Sequence, residues 1–148
     1  MKRAAVLAIM IALFLFVSLA HAEDTKKASI HYDVLLKQTG PDDNKGQIII
    51  TIKPRTGRKI NKEFPVKFTA TPGPNVTVKK SPLTKADASK LEESELVMPV
   101  GFELSQTAGA GAFIKVLMSF GTCEIKGGEV TSCMPHKEEN TITITTKK

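Results

Sequence analysis

Tryptophan is absent, tyrosine occurs once, and only two cysteines and three histidines are spread over 148 residues. Phenylalanine adds seven aromatics, two of them inside the apolar run near the start, so the interleaved basic and aromatic surface that grips single-stranded nucleic acid is missing. The lysines stand singly or in pairs, which also argues against a nucleic-acid partner. No G-x-S-x-G motif occurs, and no serine stands where a base and an acid would activate it, which removes the usual signature of a serine hydrolase. Gly109-Ala110-Gly111 begins like a phosphate-binding loop but lies between two strand patterns, not ahead of a helix, and so reads as a turn. Nowhere beyond the first twenty residues do apolar side chains recur at helical spacing.

That first stretch has its own logic. Lys2 and Arg3 precede a nearly unbroken apolar run from Ala4 to Ala20, and Ala20-His21-Ala22 follows with small residues at alternate positions, the layout of a secretory signal peptide cleaved after Ala22. A retained membrane anchor is the alternative, since 17 apolar residues lie at the short end of a span. Residues 23–148 are then one exported domain with 19 basic and 15 acidic side chains, a net charge of +4. Export places Cys123 and Cys133 where oxidants are available, so a disulfide between them is expected.

The rest of the chain reads as strands. Ile30, Tyr32, Val34 and Leu36 alternate, and Gly40-Pro41-Asp42-Asp43-Asn44 breaks the pattern. Gln47–Lys53 is β-branched and stops at Pro54; Arg55–Glu63 is a polar loop. Val66, Phe68 and Ala70 share one face of a strand ending at Pro72-Gly73-Pro74, and Val76 and Val78 form a short one. Ser81–Glu95 reads as a loop with one helical turn, capped by Thr84 with Asp87 as its fourth residue. Leu96, Met98, Val100, Phe102 and Leu104 alternate strictly. After a small-residue turn at Thr107–Gly111, so do Ile114, Val116, Met118 and Phe120, and Thr141–Thr145 closes the chain in the same way. Seven or eight short strands with turns between them predict an all-β, immunoglobulin-like antiparallel sandwich.

Between the cysteines, Gly127-Gly128 flanked by β-formers marks a hairpin tip. A three-residue loop, Gly127–Glu129, sets Cys123 opposite Cys133; a two-residue Gly127-Gly128 turn offsets them by one. Cα atoms of opposed residues lie about 4.5 to 5.5 Å apart, within reach of a disulfide. Such a bridge closes a short loop and stabilises little, because the gain from a cross-link grows with loop length. By parity Cys123 points away from the core face of Ile114–Phe120, where thiols can reach it. Cys123, Cys133, Met134 and His136 together could also present soft ligands to Cu(I), although His136 reads more simply as a solvated loop residue. Asn75-Val76-Thr77 fits a glycosylation sequon. The residues leave open whether the bridge is exchanged or is an inert staple in a binding or scaffolding module.

The segment Gly57-Arg58-Lys59-Ile60-Asn61-Lys62-Glu63-Phe64-Pro65 resembles the periplasmic N-terminal domain of the thiol:disulfide interchange protein DsbD. So do the strand around Met98-Pro99-Val100, the Ala108-Gly109 turn, and Val116-Leu117-Met118-Ser119-Phe120 running into Cys123 and Cys133. The resemblance spans about residues 57–146. It implies an immunoglobulin-like sandwich in the periplasm whose Cys123/Cys133 pair acts as a thiol–disulfide oxidoreductase without cofactor or metal. Its partners would be other periplasmic or membrane thiol–disulfide proteins, and it would meet the membrane only through them. Two features differ from that family: more residues separate the cysteines, and Ser81–Glu95 has no aromatic where the family carries an aromatic cap loop.

Overall fold

The computed structural model describes residues 25–105 and 111–146. The signal segment with its cleavage point after Ala22, and residues 107–110 of the small-residue turn, lie outside them. The described residues form β1 (Thr25–Ala28), β2 (Tyr32–Asp42), β3 (Lys45–Pro54), β4 (Arg58–Ile60), β5 (Lys67–Pro72) and β6 (Val76–Val78). There follow β7 (Leu83–Thr84), a 3-10 turn at Lys85–Asp87, β8 (Lys90–Leu91), β9 (Leu96–Leu104), β10 (Phe113–Lys126) and β11 (Glu129–Thr143). Every pairing is antiparallel. One sheet runs β1-β2-β3-β9-β6 with β8 also on β9, and the other runs β11-β10-β5-β7 with β4 also on β10. The protein is an immunoglobulin-like antiparallel β-sandwich.

Alternation dictates the core. Ile48, Ile50 and Ile52 of β3 and Leu96, Met98, Val100 and Phe102 of β9 are fully buried from one sheet. They meet Phe68, Ile114, Val116, Met118 and Phe120 from the other. Each large side chain taken wholly out of water contributes about 1.5 to 3 kcal/mol, so the eleven fully buried apolar even-numbered positions of β3, β9 and β10 hold the layers together. Pro99 sits inside β9 without cost to the ladder. The carbonyls of Val97 and Gly101 face the β8 and β6 side, accepting from Ser89 and Lys79, and Pro99 between them falls in the gap separating those two short strands.

Several elements differ from expectation. The count rises to eleven strands among the described residues because the polar start, the Arg55–Glu63 loop and Ser81–Glu95 each contribute short strands of two to four residues. The Thr84–Asp87 turn forms as read: the Asp87 carboxylate accepts from the Thr84 backbone N–H at 2.9 Å and from its hydroxyl at 3.3 Å. Ile30 leaves the alternating face and is 83% exposed, since the chain turns between β1 and β2 there. Gly40-Pro41 does not end β2; the strand absorbs both residues in a register shift and turns at Asp43-Asn44, both at positive φ. The cysteine return and the Thr141–Thr145 pattern prove to be one long strand. β11 carries Pro135 because it is a sheet edge.

Candidate functional site

β10 and β11 form a hairpin whose tip is a two-residue turn. Gly127 and Gly128 have φ of 60° and 86°, the pair of positive values that a type I′ turn needs and that glycine adopts freely. From Lys126↔Glu129 and Ile125↔Val130 that turn alone would leave the cysteines offset. A bulge at Thr131 intervenes, the register shifts to Glu124↔Ser132, and Cys123 then stands directly opposite Cys133. The two form a disulfide with Cα atoms 4.0 Å apart.

From Phe113 to Glu124 the pairing with β11 is unbroken, so the odd positions of β10 face outward, as parity predicts. Outward is not the same as accessible. β10 is flanked at Cys123 by β11 on one side and by β4 on the other, with Lys59 opposite, and Cys123 is only 4% exposed although it lies outside the contiguous core. Cys133, on the edge strand, is exposed. The expected accessibility belongs to one half of the bridge. The segment between β4 and β5 packs against the same place: Asn61 N–H donates to the Gly121 carbonyl at 2.9 Å, and Phe64 lies across Gly121. A Cβ on Gly121 would come within 2.8 Å of Phe64 Cβ and Cγ.

Further down the same outer face, four residue pairs from the bridge, Ser119 has Lys67 of β5 on one side and Lys137 of β11 on the other. With Leu117 and Thr69 they line a shallow depression of about 270 Å³. Both lysines are exposed, and neither ammonium has an acidic partner among the described residues. Lys59, nearer the bridge, is paired with Glu93 at 2.8 Å. At the tip, burial opposes but does not outweigh Lys126, whose ammonium 3.4 Å away holds the Glu124 carboxyl below its usual value.

The inner face behind the bridge is polar. His136 is a half-buried residue of β11, not a loop residue. Its ring packs between Tyr32, Phe120 and His31 at centroid distances of 4.7, 5.2 and 5.6 Å, and Nε2 shares a 2.8 Å hydrogen bond with the fully buried hydroxyl of Thr122. Burial lowers the His136 pKa, and the nearby His31 and Arg58 lower it further. Tyr32 donates to Glu138 at 2.6 Å and Lys27 pairs with the other carboxylate oxygen at 2.8 Å, which ties the first sheet to the edge of the second. Burial, then the bond to Glu138, pushes the Tyr32 phenol well above its ordinary value; the same two donors outweigh burial at Glu138 and hold its pKa down. His31 Nδ1 and Arg58 Nη1 are buried here without protein partners.

These faces separate the soft ligands considered for Cu(I). Met134 and His136 stand at even, inward positions opposite Thr122 and Phe120, whereas the cysteines are bridged and outward. The sequence reading missed Phe64, Tyr32 and Glu138. For Phe64 a signal existed: Gly121 interrupts a run of β-formers, and a glycine inside a strand marks close approach of another group.

The fold and its hairpin bridge define the class: an immunoglobulin-like sandwich with one cross-strand disulfide at an open end. No family model matches the chain, and no curated protein matches it. Among solved structures it is similar to the GAE domain of GGA2p from Saccharomyces cerevisiae, with 11% identity and a TM-score of 0.53 over 84% of this chain and 98% of that one. It is also similar to a yeast GGA1 GAE domain, with 15% identity and a TM-score of 0.51 over 81% of this chain and 96% of that one. At these identities the likeness is one of fold.

Proposed function

We propose that this is an exported thiol–disulfide exchange domain of the kind the resemblance to the DsbD N-terminal domain implies, acting in the periplasm on other thiol–disulfide proteins. One observation supports it above the rest: the bridge joins an exposed edge-strand cysteine, Cys133, to a buried neighbour, Cys123, on the outer face at the hairpin end. An incoming thiolate must approach along the S–S axis, and only Cys133 offers a free side. Attack there forms a mixed disulfide with Cys133 and releases Cys123 as thiolate. A second partner thiolate then attacks the partner's own sulfur in the mixed disulfide and displaces Cys133 as thiolate, so the partner leaves as a disulfide, the domain gains two electrons, and the two protons lost by the partner's thiols pass through solvent to Cys123 and Cys133. Run backwards, reduced Cys133 attacks a partner disulfide and Cys123 resolves it.

Single-serine variants test the assignment. Cys123→Ser should accumulate a mixed disulfide through Cys133 when offered a disulfide-bonded partner, and Cys133→Ser should not. The double variant should stay folded, losing at most about 2.7 kcal/mol by the loop-entropy relation for a ten-residue separation. A bridge that resists thiols until the whole domain unfolds would sink the proposal. A second reading, a binding or scaffolding sandwich with an inert bridge, draws support from the unpaired Lys67 and Lys137; under it the double variant keeps its partner.

A further inference from the structure

We infer that the outer face of the second sheet is a docking rail for an extended, acidic segment of the protein that exchanges with Cys133. The inference rests on the exchange reading given above and supplies what that reading lacks, a means of choosing the partner.

Lys67 and Lys137 are both paired with Ser119, so their backbones stand on the two strands that flank β10, about 10 Å apart given the spacing of neighbouring strands. Leu117 forms an apolar floor between them, and Thr69 and Ser119 add hydroxyls. The depression is open and shallow, unlike an enclosed small-molecule pocket; it spans β5, β10 and β11, and Lys115 and Gly121 continue the outward row of β10 on either side of it. An extended chain fits that shape.

Charge gives the sign of the occupant. Lys115 faces outward two residue pairs beyond Leu117 and is also exposed, so three lysines on this stretch face a single carboxylate, Glu139 opposite Leu117. None of the three ammoniums is neutralised by an acidic group among the described residues. Seven of the twelve other described lysines are paired: Lys26 with Asp33, Lys27 with Glu138, Lys45 with Glu103, Lys59 with Glu93, Lys80 with Asp87, Lys90 with Glu95 and Lys126 with Glu124.

Geometry connects the rail to the chemistry. Ser119 and Cys123 share a face four residues apart on one strand, about 13 Å. Half-buried Phe64, over Gly121, and Pro135 opposite it lie between them as an apolar step. A partner segment lying along β10 would therefore place its acidic residues about four positions from the cysteine that meets Cys133. Complementary charge of this kind raises the rate of encounter and rejects partners of the wrong sign.

The test uses the mature domain with its bridge closed and two extended peptides, each with one cysteine. One carries glutamates three to five residues from the thiol and the other carries glutamines there. At low salt the acidic peptide should form the mixed disulfide about tenfold faster, and the advantage should vanish in high salt. Lys67→Glu with Lys137→Glu should abolish or reverse the preference, while Lys67→Gln with Lys137→Gln should only flatten it; both pairs are exposed and should leave the urea midpoint unmoved. If dithiothreitol opens the bridge but the two peptides react equally, the rail is refuted and exchange stands. If dithiothreitol fails on the folded domain, the exchange reading falls and the rail with it. A cysteine-free acidic peptide should also bind the Cys123→Ser, Cys133→Ser domain in fluorescence anisotropy, weakened by the lysine reversals. If phosphatidylglycerol vesicles or single-stranded DNA bind through the same lysines as tightly, commitment to an acidic protein segment is overturned.

Discussion

Replacing Gly121 by alanine and Phe64 by glycine, singly and together, measures how the chain between β4 and β5 is fastened to the bridge-bearing strand. A Cβ at Gly121 would lie 2.8 Å from both Cβ and Cγ of Phe64. Those atoms sit next to the backbone, so they cannot swing aside as the end of a long side chain would. The overlap has to be relieved by moving the Asn61–Phe64 backbone, and forcing a methyl into a packed site costs about 1 to 3 kcal/mol. Phe64→Gly alone should cost about 1 kcal/mol for lost burial, roughly half the value of a fully buried phenylalanine, and up to about 1 kcal/mol more for the freer unfolded chain. In the double variant both clashing atoms are gone, including the Cβ that an alanine at 64 would have kept. Gly121 is not among the glycines at positive φ, so alanine there should then be neutral or should stabilise by up to about 1 kcal/mol through the unfolded chain. Urea unfolding followed by circular dichroism reads the cycle: Gly121→Ala should lower the midpoint by about 1 M for a slope near 2 kcal/mol per M, and should not lower it when residue 64 is already glycine. An unchanged penalty in the Phe64→Gly background would falsify the contact and, with it, the account of why a glycine interrupts β10.

The polar end of the sandwich gives two more. His136 is held neutral by burial and by His31 and Arg58, against the opposing pull of Glu138, so its folded pKa lies below 6.5. Stability from this site should be complete above about pH 6.5 and should decline as pH falls toward the folded pKa, because the unfolded chain then binds more protons. His136→Phe should flatten that decline in urea midpoints measured from pH 7 to 5.5; an unaltered slope would refute the role given to this ring. Tyr32→Phe removes the 2.6 Å bond to Glu138 and should cost about 1.5 to 3 kcal/mol, as hydrogen bonds to charged groups do. Glu138 has a lowered pKa, so the deficit should shrink as acid protonates the carboxylate below about pH 4.5; a deficit that persists there would mean the ring's packing, and not the bond, was lost.

Strands whose residues alternate over five or more positions were legible in the sequence. Leu96–Leu104, Ile114–Phe120 and Val66–Ala70 bury the side chains that alternation assigns, because period two leaves a half-buried strand no second choice of face. Of the short strands only Val76–Val78 was. β4, β7 and β8 have two or three residues each, and only the long strands they border make them strands. The pairing of Cys123 with Cys133 was foreseeable from one of two possible turns, yet neither described what forms: the two-residue turn is present, and the bulge at Thr131 produces the alignment of the other. The burial of Cys123 and the tie from Tyr32 to Glu138 depend on contacts between distant parts of the chain, the latter 106 residues apart, and local pattern carries no trace of those.

The bulge also separates two quantities that are usually read together. With Thr131 looped into it, the nine residues between the cysteines do the geometric work of eight, since Ile125 pairs with Val130 and Glu124 with Ser132. Loss of that residue would leave the ladder regular and Cys123 still facing Cys133; the bulge trades one residue of chain for a local increase in twist. Sequence distance between two such cysteines is therefore an unreliable yardstick of kinship among hairpin-bridged sandwiches. Two members could differ by a residue there and hold the same bond, and two with equal spacing could hold it at different phases of the ladder.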